Sequence, residues 1–102
     1  MGEISGDFYE WNEHNAKNIA EKPGVYAFYD NRRILIYIGS SSNLRVRFTH
    51  YWTTNFSEDP CKRATKEYKR EFTVNYEARE KALLDQYFRE HGRLPRCNEI
   101  KP

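Results

Sequence analysis

The chain of 102 residues carries 17 Lys and Arg against 15 Asp and Glu, a formal net charge of +2, and 38% of it is hydrophobic. This length allows one small domain with a single modest core, and charges of both signs exclude a disordered polyelectrolyte. No apolar stretch approaches the roughly 20 residues that span a bilayer, and no signal-peptide pattern is present. We therefore expect a soluble intracellular domain with no membrane contact.

The first predicted elements are a short helix and a β-hairpin. The helix covers about 12–21 and ends before Pro23, because proline disfavours helix in the residue ahead of it. A strand then opens at Gly24, and a second β-prone run covers 34–38. The polar turn 30–33 between them is short, which favours an antiparallel pair.

Alternation along the two strands predicts which side chains share a face of the sheet. In the first strand, one face is expected to carry Val25, Ala27 and Tyr29, and the other Tyr26 and Phe28. In the second strand, one face is expected to carry Leu35 and Tyr37, and the other Ile34, Ile36 and Ile38. The hairpin thus places Tyr26 and Tyr37 on neighbouring strands.

After the hairpin, the glycine and serines of 39–42 break the strand and a helix is predicted. Ser42 or Asn43 is a suitable N-cap, and the helix is expected to run to about Trp52. Leu44 and Phe48 stand four residues apart and form its buried stripe.

The second half of the chain continues with a polar loop over 53–60 and a very basic segment over 61–70 that has helical character. A third strand is predicted over 72–76, and a helix over about 77–89 that stops before Gly92. The apolar face of this helix is expected to consist of Leu83, Leu84, Tyr87 and Phe88. The whole order predicts an α+β fold, in which one small antiparallel or mixed sheet has helices beside it.

Cys61 and Cys97 are the two cysteines of the chain. Their number and spacing match no paired-cluster zinc site. A single disulfide is compatible with the sequence, but reduced and packed thiols are favoured in the intracellular protein expected here.

One stretch is the most informative, because two tyrosines lie near the start of two apolar runs, and a Ser/Asn-rich turn and an arginine-bearing helix follow. It reads Gly24-Val25-Tyr26, ten further residues, then Tyr37-Ile38-Gly39-Ser40-Ser41-Ser42-Asn43-Leu44-Arg45-Val46-Arg47-Phe48. This resembles the signature of the GIY-YIG endonuclease family, with Val25 in place of isoleucine. The resemblance, close over 22–52 and looser over 72–98, implies a small three-stranded antiparallel sheet flanked by helices. It predicts a single domain over 1–102 with a core of about 22–98.

The resemblance also implies a site that hydrolyses phosphodiester bonds in DNA. In this site Tyr26 is similar to the residue that activates water as general base, and Tyr37 to the residue that hydrogen-bonds nearby. A tyrosine has a pKa near 10, so it needs a cation or metal beside it to act as a base at neutral pH. Arg47 is similar to the arginine that binds phosphoryl oxygens and stabilises the transition state. Tyr51, one helical turn further, is similar to a residue that assists the first tyrosine or contacts the phosphate.

A metal ligand is implied on the last predicted helix. Glu80 is similar in order to the single glutamate of the family, and Glu77 and Asp85 are its competitors. One carboxylate with several waters suits Mg²⁺, and Mn²⁺ is the other expected ion. The resemblance therefore implies a divalent-metal cofactor held mainly by Glu80.

Three further residues are expected to support the site. Gly39 permits a tight strand exit and close approach of a phosphate, and the lysine that some family members carry next to it is replaced here by Ser40. Asn98 is similar to an asparagine that supports the site by hydrogen bonding. His50 is the neighbour of Tyr51 and would take its role if the register slipped by one residue.

Six basic residues are candidates for contacts with a DNA backbone, which give affinity without sequence preference. They are Arg45, Lys62, Arg63, Lys66, Lys69 and Arg70. An ordinary solvated surface explains such charges equally well.

The predicted function is therefore a metal-dependent DNA endonuclease or nickase, of a kind suited to DNA repair and with a cytoplasmic or nucleoid-associated location. The alternative is a non-catalytic nucleic-acid-binding or protein-interaction module on the same fold, because the short chain shows no targeting domain. A homodimer or a partner subunit would then provide substrate choice. A small-molecule enzyme that uses the tyrosines has no supporting pocket signature.

Overall fold

A computed structural model describes residues 3–99. This part of the chain forms four strands, three α-helices and one 3₁₀ helix. The strands are β1 (Tyr9–Glu10), β2 (Gly24–Tyr29), β3 (Leu35–Ser41) and β4 (Glu67–Phe72). The helices are α1 (Glu13–Asn18), α2 (Leu44–Thr54) and α3 (Tyr76–His91), and the 3₁₀ helix is Pro60–Ala64. In this part of the chain no helix has the length and apolar character needed to cross a membrane.

The strands form one antiparallel sheet in the order β1-β4-β2-β3. The predicted α+β fold with an antiparallel sheet is confirmed, with one strand more than the three expected. The additional strand, β1, consists of Tyr9 and Glu10, which pair with Tyr68 and Glu67 of β4. Two residues are too few for an alternating pattern to reveal a strand in the sequence.

Hydrophobic clusters lie on both faces of the sheet. One cluster contains Tyr26 and Phe28 of β2 and is covered by α1 and α2, with Phe48 fully buried. The other contains Val25 and is covered by α3, with Leu83 fully buried. The faces predicted for β2 are confirmed, because the second cluster also holds Ala27 and Tyr29.

Strand β3 contains a β-bulge that the sequence analysis missed. Phe28 pairs with Tyr37, but the next residue, Tyr29, pairs with Leu35, so that Ile36 is the extra residue. Tyr37 therefore lies on the face of Phe28, and Leu35 on the opposite face with Ile38. The predicted faces of this strand were wrong, because a bulge shifts the alternation by one residue.

The segment between α2 and α3 also differs from the prediction. The expected helical segment over 61–70 is the 3₁₀ helix followed by β4, and the strand expected over 72–76 ends at Phe72. Strand β4 is mostly charged, yet it pairs on both sides, with β1 and β2. Its long side chains cover aromatic rings: Lys69 lies 4.5 Å from the ring centre of Phe8, and Arg70 lies 4.4 Å from that of Tyr9. Such packing makes charged residues compatible with a strand, which a hydrophobic pattern does not detect.

Local capping signals determine the ends of the helices. The side chain of Asn43 accepts a hydrogen bond from Val46 N, so Asn43 rather than Ser42 caps α2. Gly92 ends α3 with φ +75, as predicted from its position. Helix α1 is shorter than expected and ends at Asn18.

One residue assigned to the apolar face of α3 is on the outside of the protein. Leu83 is buried, and Leu84 and Tyr87 pack partly against the same cluster. Phe88, in contrast, is 54% exposed. Its inclusion in the buried face was wrong, because α3 contacts the sheet along a narrower stripe than the four residues suggested.

Cys61 and Cys97 form a disulfide, with their Cα atoms 5.7 Å apart. The expectation of two reduced thiols was therefore wrong. The bond ties the 3₁₀ helix to the C-terminal segment, in which Cys97 N donates to Ile36 O of β3. Proximity across a separation of 36 residues depends on how the sheet brings distant segments together, which the spacing alone does not show.

Replacement of both cysteines (Cys61→Ser with Cys97→Ser) should lower the free energy of unfolding by about 3–4 kcal/mol, because the disulfide shortens the unfolded chain by a loop of this length. Urea unfolding of the unreduced protein and of the double variant measures the difference. The wild-type protein in excess reductant is the control and should match the variant. Two titratable thiols in the unreduced wild-type protein would contradict the disulfide.

Candidate active site

Tyr26 and Tyr37 approach each other on neighbouring strands because the residue between them is glycine. Gly39 pairs with Tyr26 across β2 and β3. A Cβ atom at Gly39 would lie 2.6 Å from the Tyr26 hydroxyl and 2.7 Å from the Tyr37 ring. Because aromatic rings are stiff and packed, any side chain here would push them apart. Gly39 thus supports the site through the space that it leaves.

Helix α2 adds a third phenol and a guanidinium. The hydroxyl oxygens of Tyr26 and Tyr51 are 2.8 Å apart and form a buried hydrogen bond, in which either hydroxyl group can donate and the other accept. Arg47 lies one turn before Tyr51, close enough for its charge to act on the phenols of Tyr26, Tyr51 and Tyr37. The stripe of Arg47 and Tyr51 on one face of α2 is therefore directed at the sheet position that carries Tyr26.

The pKa values of this phenol cluster are all raised. Burial raises the pKa of Tyr26 well above its usual value, and the phenols of Tyr51 and Tyr37 add to the rise, whereas Arg47 lowers it. Burial is also the main cause of the raised pKa values of Tyr37 and Tyr51. In the free protein all three tyrosines are neutral around pH 7, so a tyrosine base requires additional positive charge at the moment of reaction.

Arg47 supplies permanent positive charge to the cluster. Partial burial alone would lower the pKa of its guanidinium, but the phenols of Tyr26, Tyr51 and Tyr37 outweigh that effect and raise the pKa. The side chain is exposed to solvent on its outer side. It can therefore stay charged beside the phenols and still present N–H groups to a phosphate.

Glu80 reaches the end of β3 from the other side of the sheet. Its Oε1 accepts a hydrogen bond from the Ser40 hydroxyl. Its negative charge is also one of the causes, after burial and Tyr51, that raise the pKa of Tyr37. Tyr37 thus lies at the edge strand between the phenol cluster on one face and Glu80 on the other.

The surroundings of Glu80 fit a divalent metal. An open groove of about 470 Å³ is lined by Ser40, Glu77, Glu80, Lys81, Leu84, Asp85 and Leu94. The carboxylate and hydroxyl oxygens available there are the hard ligands that Mg²⁺ prefers, and Mg²⁺ keeps several waters. Across residues 3–99 no group of three or more His, Cys, Asp or Glu side chains gathers into a metal cage. Any metal here would therefore rely on very few protein ligands.

The contacts distinguish Glu80 from its two competitors. Asp85 forms an ion pair with Lys81 on the exposed side of α3, at 3.0 Å. Glu77 lies in the first turn of α3 and lines the same groove. Glu80 is the carboxylate that bonds to Ser40 at the end of the signature strand.

Asn98 and His50, predicted as supporting residues, lie in different surroundings. Asn98 holds β3 directly: its Oδ1 accepts from Ile38 N and its Nδ2 donates to Ile38 O, both at 2.9 Å. His50 lies at the exposed surface, where its ring is 2.9 Å from Glu58. Tyr51, rather than His50, hydrogen-bonds to Tyr26.

The six predicted backbone contacts divide into separate groups. Arg63 and Lys66 are exposed, and Arg45 donates to Ile19 O at 2.8 Å. Lys69 and Arg70 belong to β4, which does not adjoin β3 in the sheet, and their charged groups lie over the rings of Phe8 and Tyr9. These six residues therefore do not form a single basic surface.

Lys62 differs from the other five, because it is buried in the site. It is 4% exposed, and its ammonium group lies 3.9 Å from the ring centre of Tyr37 and 3.1 Å from Asp59. Its assignment as a surface contact to DNA was therefore wrong. In a run of basic residues no sequence signal shows which lysine side chain is buried. Asp59 was missed as its ion-pair partner, because that role depends on the burial of Lys62.

A family model and several known proteins match this chain. A family described as the UvrC-like GIY-YIG domain matches residues 22–98. UvrABC system protein C of Cytophaga hutchinsonii is 35% identical over 71 residues, which are 68% of this chain and 12% of that protein. The Vibrio cholerae protein of the same name is 29% identical over 86 residues, 82% of this chain and 14% of that protein. The chain thus spans about an eighth of the length of these relatives.

Solved structures share the fold. The GIY-YIG N-terminal endonuclease domain of UvrC from Thermotoga maritima, bound to its catalytic divalent cation, magnesium, matches with a TM-score of 0.61 and 21% identity. The match covers 83% of this chain and 92% of that domain. A point mutant of the same domain, also bound to its catalytic divalent cation, matches with a TM-score of 0.61 and 20% identity, over 82% of this chain and 90% of that one.

The raised pKa of Tyr26 predicts a loss of stability in alkali. A phenol whose pKa is higher in the folded than in the unfolded protein stabilises the fold fully below the unfolded value of about 10, and this contribution is lost as the pH rises further. The free energy of unfolding should therefore fall above about pH 10, and in Tyr26→Phe the fall should be shallower by about 1 kcal/mol per pH unit. Urea unfolding from pH 8 to 11 measures both slopes, and equal slopes would contradict the burial of the Tyr26 phenol.

Proposed function

The chain belongs to the UvrC-like GIY-YIG domain family, and we propose that it is a metal-dependent endonuclease that hydrolyses phosphodiester bonds in DNA. The proposal depends most on the hydrogen-bonded pair of Tyr26 and Tyr51, with the guanidinium of Arg47 and the phenol of Tyr37 beside it. Such a group combines phenols that can act as bases once ionised with a fixed positive charge at one place. Phosphodiester hydrolysis needs both, because water must lose a proton while charge develops on the phosphoryl oxygens.

Arg47 and Tyr26 have different roles in the proposed reaction. Arg47 binds the phosphoryl oxygens through its outer N–H groups and stabilises the negative charge that develops there. Tyr26 acts as the base in its phenolate form, which arises when its hydroxyl loses a proton to solvent while positive charge gathers at the site. The nearby charge of Arg47 stabilises this phenolate, and the Tyr51 hydroxyl is placed to donate a hydrogen bond to it. The phenolate then takes the proton of the attacking water and returns to the neutral phenol. Because burial disfavours that phenolate in the free protein, the base becomes effective when cations gather at the site.

Glu80 would hold the metal, with Ser40 as the neighbouring oxygen donor. When bound there, a divalent ion would supply positive charge beside the phosphate and would lower the pKa of its water ligands. The carboxylate lies on the α3 side of the sheet and the phenol cluster on the other side. The scissile phosphate would therefore sit at the outer edge of β3, next to Tyr37, where both groups can reach it.

The names of the relatives support a proposal for the wider role. Proteins named as component C of the UvrABC system belong, by that name, to a system with several components. We propose that this chain likewise acts in DNA repair, inside the cell, and takes its substrate choice from a partner subunit or from a second copy of itself. Exposed Arg63 and Lys66 would contact the DNA backbone. Salt-sensitive DNA binding without cleavage would instead support a non-catalytic binding module.

Replacement of the metal ligand, Glu80→Gln, should reduce cleavage of supercoiled plasmid by about 100-fold or more, because the amide no longer supplies the charge that holds the ion. Nicking is measured over a Mg²⁺ and a Mn²⁺ titration, and ion binding is measured by calorimetry. Glu77→Gln, on the same helix and groove, is the matched control and should retain activity. Loss of activity in Glu77→Gln but not in Glu80→Gln would assign the metal ligand to Glu77 instead of Glu80.

Replacement of the phosphate-binding group, Arg47→Ala, should lower kcat by about 100- to 1,000-fold, as expected when one charged donor to the transition state is removed. Arg47→Lys keeps the charge without the paired N–H geometry and should recover only a small part. Arg32→Ala, in the exposed hairpin turn, is the control. Full activity in Arg47→Ala would remove the guanidinium from the mechanism.

A further inference from the structure

Lys62 is a buried cation in contact with the proposed nuclease site. Its side chain is 5% exposed, and its ammonium group forms an ion pair with Asp59 at 3.1 Å. The same group lies 3.9 Å from the ring centre of Tyr37 and 5.9 Å from that of Tyr51. A lysine that served only solubility or DNA affinity would be in solvent, so this burial requires a different explanation.

The protein fixes Lys62 in this position from several directions. Lys62 N donates to Asp59 O within the 3₁₀ helix. The preceding residue, Cys61, is joined by the disulfide to Cys97, whose N–H bonds to Ile36 O of β3. The 3₁₀ helix is thereby attached to the strand that carries Tyr37, so Lys62 and Tyr37 are held against each other.

Tyr37 needs such support because of its place in the fold. It lies on β3, the edge strand of the sheet, next to the bulge at Ile36. Within residues 3–99 its hydroxyl has no hydrogen-bond partner. Contacts with the face of the ring therefore set its orientation, and an ammonium group over a ring face is attracted to the π-electrons.

We propose that Lys62 is a positioning residue of the nuclease site, which acts through Tyr37. This inference rests on the proposed function. Lys62 holds the Tyr37 ring with its hydroxyl directed to the edge where the phosphate would bind, and it balances the negative charges of Asp59 and Glu80 around the phenol. Lys62 itself does not contact the DNA, because Tyr37 and Asp59 enclose its ammonium group.

The test compares steady-state kinetics of variants on one duplex substrate with Mg²⁺. Lys62→Met keeps the length of the side chain and removes the charge, and it should lower kcat by about 10- to 100-fold with KM changed less than about twofold, since a misplaced group affects the reaction more than binding. Lys62→Arg restores a cation over the ring and should recover most of kcat. Lys66→Met, at an exposed lysine, should instead raise KM and leave kcat almost unchanged.

A spectroscopic measurement separates positioning from general stability. In protein labelled with ¹³C in its tyrosine rings, Lys62→Met should shift the Tyr37 resonances, whereas those of Tyr68 on β4 should stay in place. Thermal unfolding shows whether each variant is folded. If Lys62→Met does not fold, Lys62→Gln, which keeps a hydrogen-bond donor for Asp59, is measured in its place.

Several results would overturn this inference. A folded Lys62→Met variant with unchanged kcat would make Lys62 a structural residue, and a raised KM with unchanged kcat would make it a DNA contact. Failure of both the Met and the Gln variants to fold would also assign Lys62 to stability alone. Absence of cleavage by the wild-type chain would refute the proposed function and this inference with it, so the two failures are distinguishable.

Discussion

The hydrogen bond between the Tyr26 and Tyr51 hydroxyl groups is the contact on which the site depends. It is buried, at 2.8 Å, and joins the second strand of the sheet to the helix that follows the hairpin. A hydroxyl group that is buried without a hydrogen-bond partner destabilises the folded protein, so these two buried hydroxyl groups bond to each other. Together with the burial of Leu44 and Phe48, this requirement sets the rotation of α2 about its axis. The same rotation places Arg47, one turn before Tyr51, beside the phenols.

Strand β3 forms the other half of the site, and it is an edge strand with its own supports. Regular pairing of Tyr26 with Gly39 and of Phe28 with Tyr37 puts Tyr37 on the face of Tyr26, and the bulge at Ile36 then turns Leu35 to the opposite face. Asn98 supplies the hydrogen bonds that a fifth strand would otherwise make to Ile38, and it thereby closes part of the open edge. The C-terminal segment, which contributes no catalytic group in this proposal, is thus necessary for the shape of the site.

The distribution of charge around the phenols suits the proposed reaction. Arg47 and Lys62 provide positive charge beside the phenols, and Asp59 and Glu80 provide negative charge near Tyr37. The raised pKa values of the three tyrosines keep their phenol groups neutral in the free protein. A phosphate and a divalent ion would change this balance together, so that the base forms when the substrate is present.

The sequence by itself determined the elements whose signals are local. Alternation and capping gave β2, α2 and the end of α3, and the signature predicted the residues that the structure brings together, Tyr26, Tyr37, Arg47 and Tyr51. Only the tertiary structure decided the bulge in β3, the charged strand β4, the disulfide and the inward direction of Lys62. Each of these depends on contacts between segments distant along the chain, and a one-dimensional pattern of polar and apolar residues does not record which distant segments meet.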